Sequence, residues 1–427
     1  MSDTDPTEKS KLTAVLKEFE PIQYRFVDNP NDTIEPIADS VILIKGHRAS
    51  HMEKLASRLR AKKHQTYVEI DLNAIKKNIS YCRQLLPRET KILTMVKASS
   101  YGSGMEKVGV FLERIGVNYL GVAYADEGAE LRKSGVKIPI LVMNSEEAGL
   151  EECIQNHLEP SIYSFSQLDA FIKQLIYNGK SNYPIHLKIE TGMNRLGFEI
   201  DQLQKLVDVL KSQPEVRVQS VYTHLADADD PNSAFIHTQF SRFETAINRL
   251  KEHIPYSFDR HILNTEGILN YPEYHMDMVR LGIGMYGYSS SKPHADKLEE
   301  AIRWYSVVSQ LRKVKPGATI GYGRIGRIEK ETQIAVIPVG YADGFRRTLS
   351  DGQGGVYIHN HYCPIIGNVC MDMVMVDVGH IDVHEGDQVE IIGEHQGIAD
   401  LAKKMGTIPY EVMTGISKRV HRVYLED

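Results

Sequence analysis

The segment TMVKASSYGSG (residues 94–104) sets Lys97 at the end of an apolar run and follows it with small residues. At the carboxyl end of a barrel strand a lysine faces a pocket, where apolar walls and neighbouring cations lower its pKa. Such an amine can form a Schiff base with a carbonyl carbon and then move a proton as a general base. A second segment, HLKIETGMNRLGF (186–198), puts Lys188 and Glu190 on one side of a strand and turns through glycine to Arg195. Two cations and a carboxylate therefore converge at another strand end. Tyr222-Thr223-His224 ends a third strand in a polar group. DMVRLGIGMYG (277–287), preceded by Asn264-Thr265-Glu266-Gly267, joins a late strand to glycine loops whose free N–H groups suit a phosphate. Each feature also has a plain structural explanation: a surface lysine, a salt-bridged rim, a packed histidine, glycines demanded by turns.

The elements that must position these groups show as changes of period. Short β-rich runs at 67–71, 92–96, 119–123, 138–142, 160–163, 185–189, 216–222, 261–264 and 278–281 alternate with helical spacing, as in Val108, Phe111, Leu112 and Ile115. About eight βα units over ~225 residues predict a parallel sheet closed as an α/β (TIM-type) barrel. After Trp304 the runs 307–314, 333–339, 355–358, 363–366, 373–378 and 388–392 are split by turns such as Lys315-Pro316-Gly317 and Glu385-Gly386-Asp387. They predict a mainly antiparallel β domain, completed by a helix at 398–405 and a strand at 418–424. The expected division is an extension over 1–64, the barrel over 65–295 and the β domain over 296–427.

Composition sets the outer limits. The 427 residues, 42% hydrophobic and 25% charged, are ordinary for a globular chain of two or three domains. Fifty Lys and Arg against fifty-six Asp and Glu give a net charge of −6, which argues against a general nucleic-acid binder and for small-molecule partners. No run nears the ~20 apolar residues of a membrane span, and the start MSDTDPTEKSK has no apolar core, so a cytoplasmic location is expected. Cys82, Cys153, Cys363 and Cys370 form no CxxC pair; reduced, mostly buried thiols are expected, and no metal site. Residues 1–64 carry turn material at Asn29-Pro30-Asn31-Asp32, one strand at 40–45 and a basic helical stretch near 50–63, too little for a core of their own. The run Arg58, Arg60, Lys62, Lys63 fits a solvated linker helix better than a phosphate contact.

In this order KASSYGSG, KIETGMNRLGF, YTHLADAD and VRLGIGMYG resemble the motifs of alanine racemase. The resemblance covers about residues 66–427, continuing through Ile320-Gly321-Tyr322-Gly323, VGYADG (339–344), GNVCMD (367–372) and PYEVM (409–413). It implies an eight-stranded barrel, a β domain, a homodimer with active sites at the subunit interface, and pyridoxal 5′-phosphate (PLP) on Lys97. By the same resemblance Tyr101, Thr265, Gly282, Ile283 and Tyr410 contact the phosphate, and Arg280 faces the pyridine nitrogen. A guanidinium only donates, so the ring nitrogen stays unprotonated and the cofactor is a weaker electron sink. The implied reaction interconverts L-alanine and D-alanine, supplying D-alanine for peptidoglycan. Lys97 serves one face of Cα and Tyr322, from the partner subunit, the other. A tyrosine ordinarily titrates near ~10, so it needs cationic neighbours to act as a base, and Arg280 and His224 are candidates. Arg195 holds the phenolic oxygen and, with the N–H of Met371, places the substrate carboxylate. Lys188 matches a position carbamylated in many members, which would make it an anion able to orient Arg195. Tyr341 and Tyr410 narrow the pocket in favour of alanine over serine, a discrimination of ~1–3 kcal/mol.

The chain departs from the usual pattern at Ser99 and Ser103, where Asn or Asp and His are common, at Glu190 for Asp, and at Thr265 for Ser. None of these removes a base. SVILIKGHRA (40–49), with Met52-Glu53-Lys54, resembles the tail of the Mur ligase that adds D-alanyl-D-alanine, as in fusions of that ligase with alanine racemase. No complete P-loop exists, because Gly179-Lys180-Ser181 has Gln174 where the first glycine belongs, so ligase activity is not expected. Two rival readings are a PLP-dependent amino-acid decarboxylase and a noncatalytic PLP-binding protein. The first normally sets a carboxylate at the pyridine nitrogen where this chain offers Arg280; the second has no need of Tyr322 or of the GYADG and CMD segments.

Overall fold

The structure is a computed structural model that describes residues 65–426. The strand expected at 40–45, the basic helix near 50–63 and the ligase-like segment lie outside the described residues. Eight parallel strands make the barrel: β2 (Lys91–Met95), β3 (Tyr119–Val122), β4 (Ile140–Val142), β5 (Glu159–Ile162), β6 (Tyr183–Lys188), β7 (Val216–Tyr222), β8 (Asp259–His261) and β9 (Met278–Leu281). Each is hydrogen bonded to the next in chain order, with β9 beside β2. Backbone bonds from Asp277 N to Arg260 O (3.2 Å) and Arg280 N to Leu263 O (3.0 Å) join the two ends of the sheet. Strands covered on both faces read as unbroken apolar runs, and β3 (YLGV) and β4 (ILV) are buried throughout. The covering helices bury one stripe each; Met105–Arg114 turns Met105, Val108, Phe111 and Leu112 inward.

The first strand corrects the count of barrel units. β1 (Tyr67–Asp71) alternates and precedes a helix, as a barrel strand would, yet it pairs antiparallel with Ile302–Val307 and parallel with His421–Leu425 in a six-stranded sheet of the β domain. Local periodicity names a strand; long-range pairing decides its sheet. Asp71 then caps the helix Leu72–Leu85, its Oδ1 accepting the N–H groups of Asn73 (2.9 Å) and Ala74 (3.0 Å). Further along that helix Asn78 donates to Met285 O (3.1 Å) and Glu299 O (2.8 Å), fastening it to the loop after β9.

The run 307–314 also divides: Ile302–Val307 belongs to the six-stranded sheet, while Gln310–Val314 joins Thr332–Ile337 and Val374–Asp377 in a three-stranded one. Trp304 is fully buried, edge-on to Phe345 at 6.2 Å. A two-stranded arm, Thr319–Ile320 with Gly326–Arg327, rests on its own small core of Ile320, Ile328 and Ile334. The helix Ile398–Met405 stands where the sequence puts it, and the closing strand runs His421–Leu425. Cys82, Cys153 and Cys363 are buried, and no helix among the described residues is long and apolar enough to cross a membrane.

Candidate active site

Lys97 follows β2 at the carboxyl face of the barrel, and what comes next is unusual backbone. Ala98, Ser99, Ser100 and Tyr101 all lie at φ +52 to +56°, a left-handed turn without glycine. Each such residue costs roughly 1–2 kcal/mol, so the surroundings must impose the shape. Glu127 supplies part of that restraint, its carboxylate accepting the N–H groups of Ala98 and Ala123 at 2.7 Å each. Tyr286 supplies another part, donating to Ser100 O (2.7 Å) and meeting Ser100 Oγ (2.8 Å). Gly102 closes the turn at φ +82°, where a Cβ would stand 2.4 Å from Met413 O. Lys97 is exposed at the barrel mouth. Close packing around its amine, then Arg195 and Arg280, hold its pKa below the ordinary lysine value, against an opposing pull from Glu127.

Arg280 is buried under the centre of the mouth. Its Nη1 meets His261 Nδ1 (2.9 Å) and His261 O (3.3 Å); its Nη2 meets Thr223 O (2.8 Å), Ile262 O (2.9 Å) and His224 Nδ1 (3.2 Å). Only Nε–H has no partner among the described residues, so it is the donor left for whatever occupies the pocket. Burial lowers the Arg280 pKa to about 10, with Arg195 adding to it, and the guanidinium stays charged. Because Arg280 can only donate, His224 must present Nδ1 as a lone pair. Burial, Arg280, Arg195 and the two lysines hold His224 well below its ordinary pKa, so it is neutral with its proton on Nε2.

Lys188 is buried, 6.0 Å from the Tyr222 ring, and makes no ion pair among the described residues. Burial lowers its pKa to about 8, with Arg195 and Arg280 adding to the effect. Glu190 does not answer it. Its carboxylate accepts N–H groups of Gly192 and Arg195 (3.3 Å) and so fixes the turn that carries Arg195. Burial pushes the Glu190 pKa up, but these backbone donors outweigh it and hold the group ionised. Glu127 and Glu190 are thus engaged by backbone N–H groups, and Lys97, Lys188, Arg195 and Arg280 bring positive charge to the mouth.

Thr265 Oγ1 accepts from Gly282 N (3.0 Å) and Gly284 N (3.2 Å), while Ile283 N–H has no partner among the described residues. The loop also needs glycine: a Cβ on Gly282 would lie 2.7 Å from the Tyr101 hydroxyl, and one on Gly284 would lie 2.6 Å from Thr265 Cγ2. Tyr101 and Tyr410 stand with ring centroids 6.0 Å apart, and burial raises both phenol pKa values, keeping them donors. Free N–H and O–H donors beside buried cations fit a phosphate, and the unengaged Arg280 Nε–H fits a ring nitrogen.

The families described as alanine racemase, N-terminal domain, and alanine racemase, C-terminal domain, match residues 70–290 and 301–424. An alanine racemase of Clostridium tetani is 34% identical over 375 residues, covering 84% of this chain and 95% of its own. One from Methanococcus maripaludis is 35% identical, covering 85% and 99%. The chain belongs to the alanine racemase family. Among solved structures, alanine racemase of Clostridium difficile 630 matches with a TM-score of 0.81 at 32% identity, over 86% of this chain and 97% of that one. An alanine racemase from Bartonella henselae, solved with covalently bound pyridoxal phosphate, matches with a TM-score of 0.78 at 28% identity, over 84% and 99%. Membership places the chain among PLP-dependent isomerases that interconvert the enantiomers of alanine.

The β domain carries Tyr322, Tyr341 and Met371, which make no hydrogen bond or ring contact with Lys97, Arg195 or Arg280 among the described residues. Tyr322 tips the two-stranded arm, 74% exposed, with its backbone O held by Asn368 Nδ2 at 2.8 Å. Tyr341 and Met371 are exposed on one platform, tied by Tyr341 N to Cys370 O and Ala342 N to Met371 O (3.0 Å each). Arg419 braces it from below through Asp343 and Asp372, both at 2.7 Å. Met371 N–H has no partner among the described residues, so it is free to hold an anion. Glu127 and Tyr286 carry no role in the sequence reading; an acidic residue in a helix's first turn was the only available signal for Glu127.

Proposed function

We propose that Lys97 and Tyr322 of the partner subunit are the two bases with which this chain racemises alanine. Inversion at Cα takes a proton from one face and returns one to the other, so a base is needed on each side. Lys97, with its lowered pKa, serves one face as a free amine. Tyr322 serves the other, and His224, neutral with Nε2–H outward, donates to the phenolic oxygen when its proton has left. Tyr101, Thr265, Gly282, Ile283 and Tyr410 hold the phosphate of PLP, and Arg195 its phenolic oxygen. Bound there, PLP supplies the electron sink that acidifies the substrate Cα–H. The observation that supports the reading is Arg280: Nε–H is its one donor without a partner among the described residues, and a donor-only group leaves the ring nitrogen unprotonated. Arg195 and the N–H of the partner subunit's Met371 hold the substrate carboxylate, while the partner subunit's Tyr341 and this chain's own Tyr410 limit side-chain size.

Lys188 becomes a carbamate by attack of its neutral amine on carbon dioxide with loss of a proton, and the resulting anion orients Arg195. The protein acts as a homodimer in the cytoplasm, supplying D-alanine for peptidoglycan, with the barrel over 65–295, apart from β1, which pairs in the β domain, and the β domain over 296–427. Residues 1–64 are the tail of the D-alanyl-D-alanine-adding Mur ligase and a linker; the relatives match 84–85% of the chain while 95% or more of their own length is covered, which leaves room for such a piece. The test is Tyr322→Phe in deuterated water. Racemisation is expected to fall about 10²–10⁴-fold while Cα–H exchange persists in one enantiomer, served by Lys97. Unchanged racemisation sinks the reading, as does loss of exchange in both enantiomers with PLP still bound.

A further inference from the structure

A single file of hydrogen bonds leaves the site and crosses the barrel interior. Arg280 Nη1 meets His261 Nδ1 at 2.9 Å, and His261 Nε2 meets Ser220 Oγ at 2.8 Å. Ser220 Oγ meets His186 Nδ1 at 2.6 Å, and His186 Nε2 meets Glu159 Oε2 at 2.7 Å. Arg280, His261, Ser220 and His186 are each 2% exposed or less. Their strands, β9, β8, β7 and β6, lead in order to β5, where Glu159 is the first residue, at the face opposite Lys97.

The two ends dictate one polarity. A guanidinium only donates, and an ionised carboxylate only accepts. His261 must therefore offer Nδ1 to Arg280 and carry its proton on Nε2, directed at Ser220. Ser220 passes its hydroxyl proton toward His186 Nδ1, and His186 donates from Nε2 to Glu159. Run the other way, His261 Nδ1–H would confront an Arg280 N–H, and two buried donors would lack acceptors. Burial, then Arg280 and His186, hold His261 well below its ordinary pKa, so it is a neutral ring in one tautomer. Its plane is fixed as well, stacked on Tyr222 at 4.8 Å and 11°.

We propose that Glu159 is a positioning residue for Arg280: through His186 and Ser220 it holds His261 as the Nε2–H tautomer, whose Nδ1 locks the guanidinium with Nε–H directed into the pocket. The proposal rests on the reading that Arg280 faces the pyridine nitrogen. Holoenzyme labelled with ¹⁵N-histidine, studied by long-range ¹H–¹⁵N correlation, reports both tautomers, and the absorbance of bound PLP reports the ring environment. Wild type is expected to show Nε2–H at His261 and His186. Glu159→Leu, and Ser220→Ala should the first fail to fold, are expected to move His261 out of that tautomer and shift the PLP band. They are also expected to lower kcat about tenfold with KM little changed, and Glu159→Gln, which keeps an acceptor, to restore all three. An unmoved His261 in folded Leu and Ala variants overturns the proposal alone, and so does a doubly protonated His186 in wild type, which would end the line at Ser220. A shifted His261 beneath an unmoved PLP band overturns the placement of Arg280 at the ring nitrogen, and the proposal with it.

Discussion

Lys188 shows how a residue's neighbours choose its chemistry. Buried and flanked by cations, it has a pKa of about 8, against ~10.4 for an ordinary lysine, so its neutral amine exists above pH 8 and the ammonium below. A carbamate forms only from the neutral amine and, once formed, replaces an unfavourable cation with an anion among three others. With ¹³C-labelled bicarbonate, a protein-bound ¹³C signal is expected to grow as pH rises through about 8 and to be absent in Lys188→Ala. That variant is expected to lose up to about 10²-fold in kcat/KM, the scale of a small misplacement at a reacting centre. A ¹³C signal that persists in the variant would contradict the assignment. The linkage has a fixed sign: between pH 8 and the ordinary lysine value the unfolded chain binds a proton that the native chain does not, so the unmodified fold gains stability with rising pH. Glu190 is the contrasting case, because spacing put it beside Lys188 and geometry gave it to the backbone of its own turn.

The elements were legible wherever burial repeats locally. Barrel strands covered on both sides are apolar runs, and helices such as Ile398–Met405 keep a helical stripe, so both are readable from the chain. β1 lies in a different sheet from the one its local pattern suggests, because its partners lie more than 200 residues away in the chain. The left-handed turn was invisible for a different reason: Ala98-Ser99-Ser100-Tyr101 lacks the glycines that announce positive φ, and its shape is imposed by Glu127 and Tyr286. Glu127→Gln turns one acceptor into a donor, leaving Ala98 N–H or Ala123 N–H unmatched; a loss of about 1–3 kcal/mol is expected in denaturant melts. Gly282→Ala tests the phosphate loop at ordinary φ, since its Cβ meets the Tyr101 hydroxyl at 2.7 Å. Overpacking of about 1–3 kcal/mol corresponds to PLP retention weakened roughly 10- to 100-fold, and full retention in a titration would contradict the cradle.

At the scale of the molecule, the proposed site draws on two parts of the chain. Lys97, Arg195 and Arg280 gather at the barrel mouth, while Tyr322, Tyr341 and Met371 stand exposed on the β domain with no hydrogen bond or ring contact to them among the described residues. Exposed aromatic and methionine side chains on a braced platform fit the proposed homodimer, in which each platform would meet the barrel mouth of the other subunit. Subunit mixing tests this most directly. Lys97→Ala and Tyr322→Phe chains are each expected to be nearly inactive alone. Mixed in equal amounts and allowed to exchange, half of the pairs are hybrids with one intact site, so about a quarter of wild-type racemisation is expected to return. If the mixture stays as inactive as its parents after exchange is verified, each chain uses its own tyrosine or none, and the shared two-base site is wrong.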